Sequence, residues 1–265
     1  MLTGQRGDLG RAVAREWAAG VHGGRGRTLV NLSMQAPNSL LHDGHAWQRD
    51  AAEHIVASTR RALAEARRTR CGFVVHASYA FLAGAEAGGT VGGWLEHVID
   101  AALEAEELVL GSDRSACVIR LGYLYGPDSV DLRAYRRAFH LGRPYWAGPR
   151  ANLQHFLQIS DAARALLIAA ATRPAERVLY ATDGTAVSFA DFMDEFAHRV
   201  GRSHPLHLPR VTRPLVHAVV RESHQQMVDL AQPRDLTPKL SGFTPDHPDY
   251  RGGIDDVIEA WRQAT

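Results

Sequence analysis

Thr3-Gly4-Gln5-Arg6-Gly7-Asp8-Leu9-Gly10 is the stretch on which the fold turns: three glycines, each three residues from the next, stand directly before an amphipathic segment at 11–19. Glycines so placed make a tight turn, and here the turn opens a helix. Outward from it, short apolar runs alternate with longer helical patterns. Strands are expected at 28–32 (TLVNL), 72–76 (GFVVH), 116–121 (ACVIRL) and 178–181 (VLYA), each close to continuously apolar, as in strands covered on both faces. Between the first two, 48–68 places Ala52, Ile55, Val56, Leu63 and Ala66 at helical spacing with arginines opposite, and after the second, 91–110 carries an apolar stripe of Trp94, Val98, Ala102 and Ala105. Ser160 is expected to cap a further helix, and Ser188 one over 189–200 that Gly201 stops. Past Gly201 the texture becomes rich in proline and histidine, with helices near 215–230 and 254–263. Strands joined by helical crossovers make this an α/β chain with a parallel sheet and a smaller helical lobe.

Bulk composition narrows the function classes. The 265 residues are 45% hydrophobic and 22% charged, enough for a sizeable core. Thirty basic against 29 acidic side chains leave a net charge of +1, so neither nucleic acid nor an anionic membrane is expected as partner. No apolar stretch is long enough to span a bilayer and no export signal opens the chain. Cys71 and Cys117 lie in or beside apolar runs, which suits a reducing compartment, and a cytoplasmic location is expected. Lys239 is the only lysine. Any chemistry that needs a lysine elsewhere is thereby excluded.

Three segments, in order, resemble the extended short-chain dehydrogenase/reductase superfamily, which contains NAD-dependent epimerases and dehydratases. They are the glycine turn, Arg120-Leu121-Gly122-Tyr123-Leu124-Tyr125-Gly126-Pro127, and Gln158-Ile159-Ser160-Asp161. The stretch from Lys239 through Gly242-Phe243-Thr244-Pro245 to Tyr250-Arg251-Gly252-Gly253 looks like that family's closing segment. The resemblance implies a shortened Rossmann-like parallel sheet with a small α-rich C-terminal cap: core at 1–126 and 153–182, substrate lobe at 127–152 and 183–265. It also implies NAD or NADP on Gly4, Gly7 and Gly10, because such a turn lets a pyrophosphate rest on helix N-terminal amides. The ligand to be transformed would be a small molecule bearing a hydroxyl or carbonyl group. A homodimer through the helices at 48–68 and 91–110 belongs to the same expectation.

The chain departs from the family in three places. Only three residues precede the glycine turn, so the first strand is vestigial or the true start lies upstream. From Ala19 the sequence passes straight to the strand at 28–32, so the two strand–helix units that read the adenosine ribose are missing. The catalytic Tyr-x-x-x-Lys pair falls on Val98 and Ala102, neither of which moves a proton. Standard redox catalysis is therefore expected to be impaired. Ser78 takes the family's serine position, Tyr79 or His97 could replace the lost phenol, and Tyr123, Tyr125, Arg133 and Arg137 are the expected substrate contacts, with Asp161 at a helix start. Despite 14 histidines no ligand spacing is met, and no metal is expected. Competing readings are a lyase, isomerase or cyclase reusing the crevice, a non-catalytic scaffold, and a truncated product without function.

Overall fold

The computed structural model describes residues 1–4, 7–19, 27–33, 44–89, 93–202, 205–208 and 222–264. Its centre is a five-stranded, all-parallel sheet in the order β1 (Leu2–Thr3), β2 (Thr28–Asn31), β3 (Phe73–Tyr79), β4 (Ser115–Leu121), β7 (Val178–Ala181). Helices α1 (Asp8–Ala18) and α6 (Ile159–Thr172) cover one face; α2 (Gly44–Arg68) and α4 (Trp94–Leu110) cover the other. Period-two alternation assigns the side chains. Val75, Ala77, Ile119 and Leu121 join the core under α1 and α6, whereas Leu29 and Val74 pack beneath α2 and α4. The expected strands all form, and β3 runs three residues further than its apolar pattern, through Ala77, Ser78 and Tyr79.

β1 is two residues long and lies at the sheet's edge, paired only with β2 among the described residues. The next strand described in the chain is thus its direct neighbour. Thr3 adds a side-chain anchor, its hydroxyl donating to Asn31 Oδ1 at 2.9 Å.

A second sheet, not foreseen from the hydrophobic pattern, joins β5 (Tyr123–Tyr125), β6 (Leu153–Gln158) and β8 (Ala186–Ser188), with β5–β6 parallel and β6–β8 antiparallel. It carries the lobe made by α5 (Val130–His140), α7 (Phe189–Arg199) and α9 (Tyr250–Gln263), whose core is aromatic. Phe156 and Phe192 stack there at 4.0 Å, with Tyr125, Tyr135, Tyr145 and Tyr250 around them. Remaining helices are α3 (Leu82–Glu86) and α8 (Glu222–Asp229); the expected helix near 215–230 is described only over the latter. Ser188 caps α7 as expected, accepting from the Asp191 amide at 3.0 Å. At α6 the cap is Gln158, not Ser160: its side-chain oxygen reaches over to accept from the Ser160 amide at 2.5 Å. Residues 238–240 run beside β7, Tyr180 donating its amide to Pro238 O and accepting from Leu240, so Lys239 is exposed along that margin.

The lobe is tied to the core by acids. Asp161, fully buried, accepts the backbone amides of Asp246 (2.7 Å) and His247 (3.1 Å) and the His247 ring Nδ1 (2.8 Å), whose Nε2 meets Asp256 at 2.7 Å. Burial opposes a charged ring, but the hydrogen bonds from Asp256 and Asp161 outweigh it and raise the His247 pKa. The charged ring is thus favoured by folding, a contribution present below the ordinary histidine value of about 6.5 and lost as pH rises through the higher folded one. His247→Gln is expected to lower the melting temperature at pH 6, with the deficit shrinking by pH 9 in a thermal-melt series. Asp183, just past β7, is 2% exposed with Oδ2 unpartnered; burial raises its pKa to about 7, reinforced by Asp249 and Asp161 and opposed by the Thr185 amide. The cost of keeping it buried builds up from pH about 4 to about 7 and is borne in full above that. Asp183→Asn should stabilise the protein at pH 8, on the order of 3 kcal/mol, and leave it unchanged at pH 4, read by denaturant titration at both pH values.

Candidate functional site

The carboxyl ends of β2, β3, β4 and β7 are polar on the α2/α4 side, where the middles of those strands are apolar. Asn31, His76, Ser78, Arg120 and Tyr180 form this row, set side by side by the register that pairs Asn31 with His76, Ser78 with Arg120, and Arg120 with Tyr180. Arg120 dominates it. Its guanidinium, 4% exposed, donates to both Glu106 oxygens (Nε at 3.0 Å, Nη2 at 2.8 Å), to both Glu86 oxygens (2.6 and 2.7 Å) and to the Tyr180 hydroxyl (2.9 Å). Such a fork serves two carboxylates at once, which an ammonium could not do with the same geometry. Burial alone would lower the Arg120 pKa, and hydrogen bonds to Glu86 and Glu106 more than reverse this.

Ser78, the candidate catalytic serine, belongs to this row. It is 1% exposed and its hydroxyl donates to Glu106 Oε1 at 2.5 Å. His76 lies two residues before it with Nδ1 at 2.9 Å from Asn31 Nδ2; burial drives its pKa down to about 4, so the ring is neutral. Its Nδ1 therefore accepts from the asparagine amide. Glu106, Glu86 and His76 were not singled out by sequence reasoning, although Glu106 stands in the helix that the missing pair should occupy.

Val98 and Ala102 are fully buried in that helix. They share an apolar cluster with Tyr79, Phe81, Leu82, Leu95 and Leu230, the last arriving from the end of α8. Tyr79 stacks on Phe81 at 4.8 Å, and its hydroxyl is buried without a hydrogen-bond partner. Burial holds its phenol well above the usual tyrosine range, so it is a neutral donor and no general base. His97 is exposed on α4, about 100° around the helix from the buried Val98. It does not meet Ser78 and Tyr79.

The other candidates divide. Tyr123 follows β4 and its hydroxyl donates to Asp131 at 3.3 Å; Tyr125 is 1% exposed, donates to Tyr250 O at 3.4 Å, and presses so close to α9 that a Cβ on Gly253 would meet its oxygen. Arg133 is exposed and turned back onto Pro127 O at 3.0 and 3.2 Å, and Arg137 is exposed on the same helix. No group of histidine, cysteine and acidic side chains that could hold a metal occurs among the described residues; His204 and His217 and the side chain of His224 lie outside them.

At the glycine turn, Gly4 has φ +79°, and a Cβ there would stand 2.7 Å from Leu32 O. Only glycine fits. Gly7 is the N-cap of α1, supplies no side-chain cap, and has nothing within 4 Å of where a Cβ would be. These residues fit a pyrophosphate: an open space, backbone amides and the positive end of a helix. Val98 and Ala102, where the resemblance expects the family's tyrosine and lysine, offer no polar atom to the rest of such a cofactor.

A neutral, unpartnered phenol in an apolar cluster is either a packing defect or a donor awaiting an acceptor. Tyr79→Phe separates the two. Removing a buried, unsatisfied hydroxyl should stabilise the free protein by roughly 1–3 kcal/mol in chemical denaturation; a loss of stability would show that the hydroxyl is already paired.

No protein-family model matches the chain. A segment of 164 residues, 61% of the chain, is 29% identical to the 3-diazoavenalumate denitrifying reductase of a Streptomyces species and covers 53% of it, so the chain spans about half the length of this curated relative. The human epimerase family protein SDR39U1 (isoform 2), solved with NADPH, superposes with a TM-score of 0.74 at 17% identity, over 97% of this chain and 98% of that one. MoeE5, solved with UDP-glucose and NAD, gives 0.67 at 19% identity over 99% and 98%. The architecture of this chain, a Rossmann-like parallel sheet with a C-terminal lobe, is therefore the one found in nicotinamide-dependent epimerases and dehydratases.

Proposed function

We propose that this chain is a nicotinamide-dependent reductase acting on a small molecule whose reduction draws no proton from a tyrosine–lysine pair. One juxtaposition carries the reading: the glycine turn keeps an open cradle at α1, while the positions of the proton-transfer pair, 98 and 102, are buried and apolar. A bound NADH or NADPH would supply hydride. Gly4, Gly7 and the first-turn amides of α1 would receive its pyrophosphate. The cluster around Val98, Ala102 and Leu230 keeps water from the reacting centre. Tyr79 stays protonated and offers its O–H to an acceptor on the ligand.

The substrate class follows from proton demand. Reducing a carbonyl requires a proton at oxygen, which the Tyr-x-x-x-Lys pair ordinarily provides. Reducing a diazonium carbon requires none: a C–H bond replaces the C–N bond, and dinitrogen leaves with the C–N electron pair. The Streptomyces relative is by name a denitrifying reductase of a diazo compound, which supports this reading over a carbonyl reductase. The neighbours solved with NADPH or NAD support the cofactor class.

Fluorescence titration of the purified protein with NADH and with NADPH tests the proposal. Dissociation constants in the micromolar range are expected. Gly7→Val, whose side chain enters empty space and costs the helix about 1 kcal/mol, should keep its fold while losing the nucleotide. Absence of binding by the wild-type chain at millimolar nucleotide, in both quenching and thermal shift, sinks the reading.

A further inference from the structure

The lobe contains a cavity remote from the crevice. Its volume is about 510 Å³ and it opens where the last turns of α5, α7 and α9 converge. Val200, Ile258 and Trp261 give it an apolar lining, and Arg136, Arg262 and His140 stand around it as cations or potential cations. Among the described residues no aspartate or glutamate lines it. Arg199, also at the wall, is already matched by Glu195 and Asp255, whereas Arg262 reaches Glu259 only at 3.8 Å and Arg136 has its guanidinium 5.1 Å from the Trp261 ring centre. Trp261 is held in place by its indole N–H, which donates to Pro127 O at 2.7 Å, and by edge contact with Phe196. Along α5 its wall runs from Arg136, about 7.5 Å past Asp131, to His140, about 14 Å past it, Asp131 being the residue that meets Tyr123.

We propose that this cavity binds an organic anion with a flat apolar body, an aryl carboxylate in chemical class. The space is several times what a lone inorganic anion fills and falls in the range of small-molecule sites. Arg136 and Arg262 supply forks for the carboxylate, and the Trp261 face with Ile258 and Val200 takes the ring. Basic residues at helix C-termini also answer the helix dipole, but that role requires neither an aromatic wall nor a concave space.

2-Naphthoate is the probe, with 2-naphthamide and inorganic phosphate as controls, followed by calorimetry and by the Trp261 indole N–H resonance, identified by its loss in Trp261→Phe. The naphthoate should bind with a dissociation constant below about 1 mM and shift that resonance, the amide and phosphate at least about tenfold more weakly. Arg136→Gln with Arg262→Gln, both exposed and so tolerated by the fold, should weaken naphthoate about tenfold or more with an unchanged melting temperature. No naphthoate binding at about 10 mM overturns the proposal. So does equal binding of naphthoate and naphthamide, phosphate as good as naphthoate, or an unaffected double variant.

Discussion

The guanidinium of Arg120 ties five elements together. From β4 it holds Glu106 of α4, Glu86 of α3 and Tyr180 of β7, and through Glu106 it engages Ser78 of β3. A buried cation of this kind is tolerable only while its partners are in place; deleting one from a buried pair costs about 3–5 kcal/mol, because the survivor is left charged and unmatched. The helix most constrained by it is α4. Its register over the sheet, which decides what faces the crevice from positions 98 and 102, is fixed by Glu106 a turn further on.

On a helix held by Glu106, Val98 and Ala102 stand enclosed and apolar at the positions where the family resemblance expects a phenol and an ammonium. Tyr79, Leu82 and Leu230 share their cluster. The result is a dry corner at the end of β3 with one neutral hydroxyl in it. Such a corner suits the proposed chemistry, which needs water excluded and no proton delivered by a tyrosine–lysine pair. The glycine turn at the other side of the same sheet end is under separate control, since Gly4 is required by contact with Leu32 and Gly7 by nothing within reach.

Much of this was legible in the residues. The parallel core followed from continuous apolar runs, which are visible because burial on two faces leaves a strong pattern. The second sheet was not. β5 and β8 are three residues each, and β6 interleaves Gln154, His155 and Gln158 with its apolar residues; Gln154 and His155 reach the distant backbone oxygens of Leu230 and Pro233, and Gln158 caps the following helix at Ser160. Ser78 illustrates the limit at the site. Its position in the chain marks the end of a central strand, but the direction of its hydroxyl, toward Glu106, depends on a helix 28 residues away. Asp183 gave no signal either, since a short acidic loop looks the same whether buried or exposed.

Lys239 sits exposed on the strand-like stretch that borders β7. Because every other basic side chain is arginine or histidine, an amine-selective dye, crosslinker or surface-immobilisation reagent meets a single ε-amino group. A fluorophore attached there would report on the margin of the sheet, the α-amine of Met1 being the other amine that such a reagent meets.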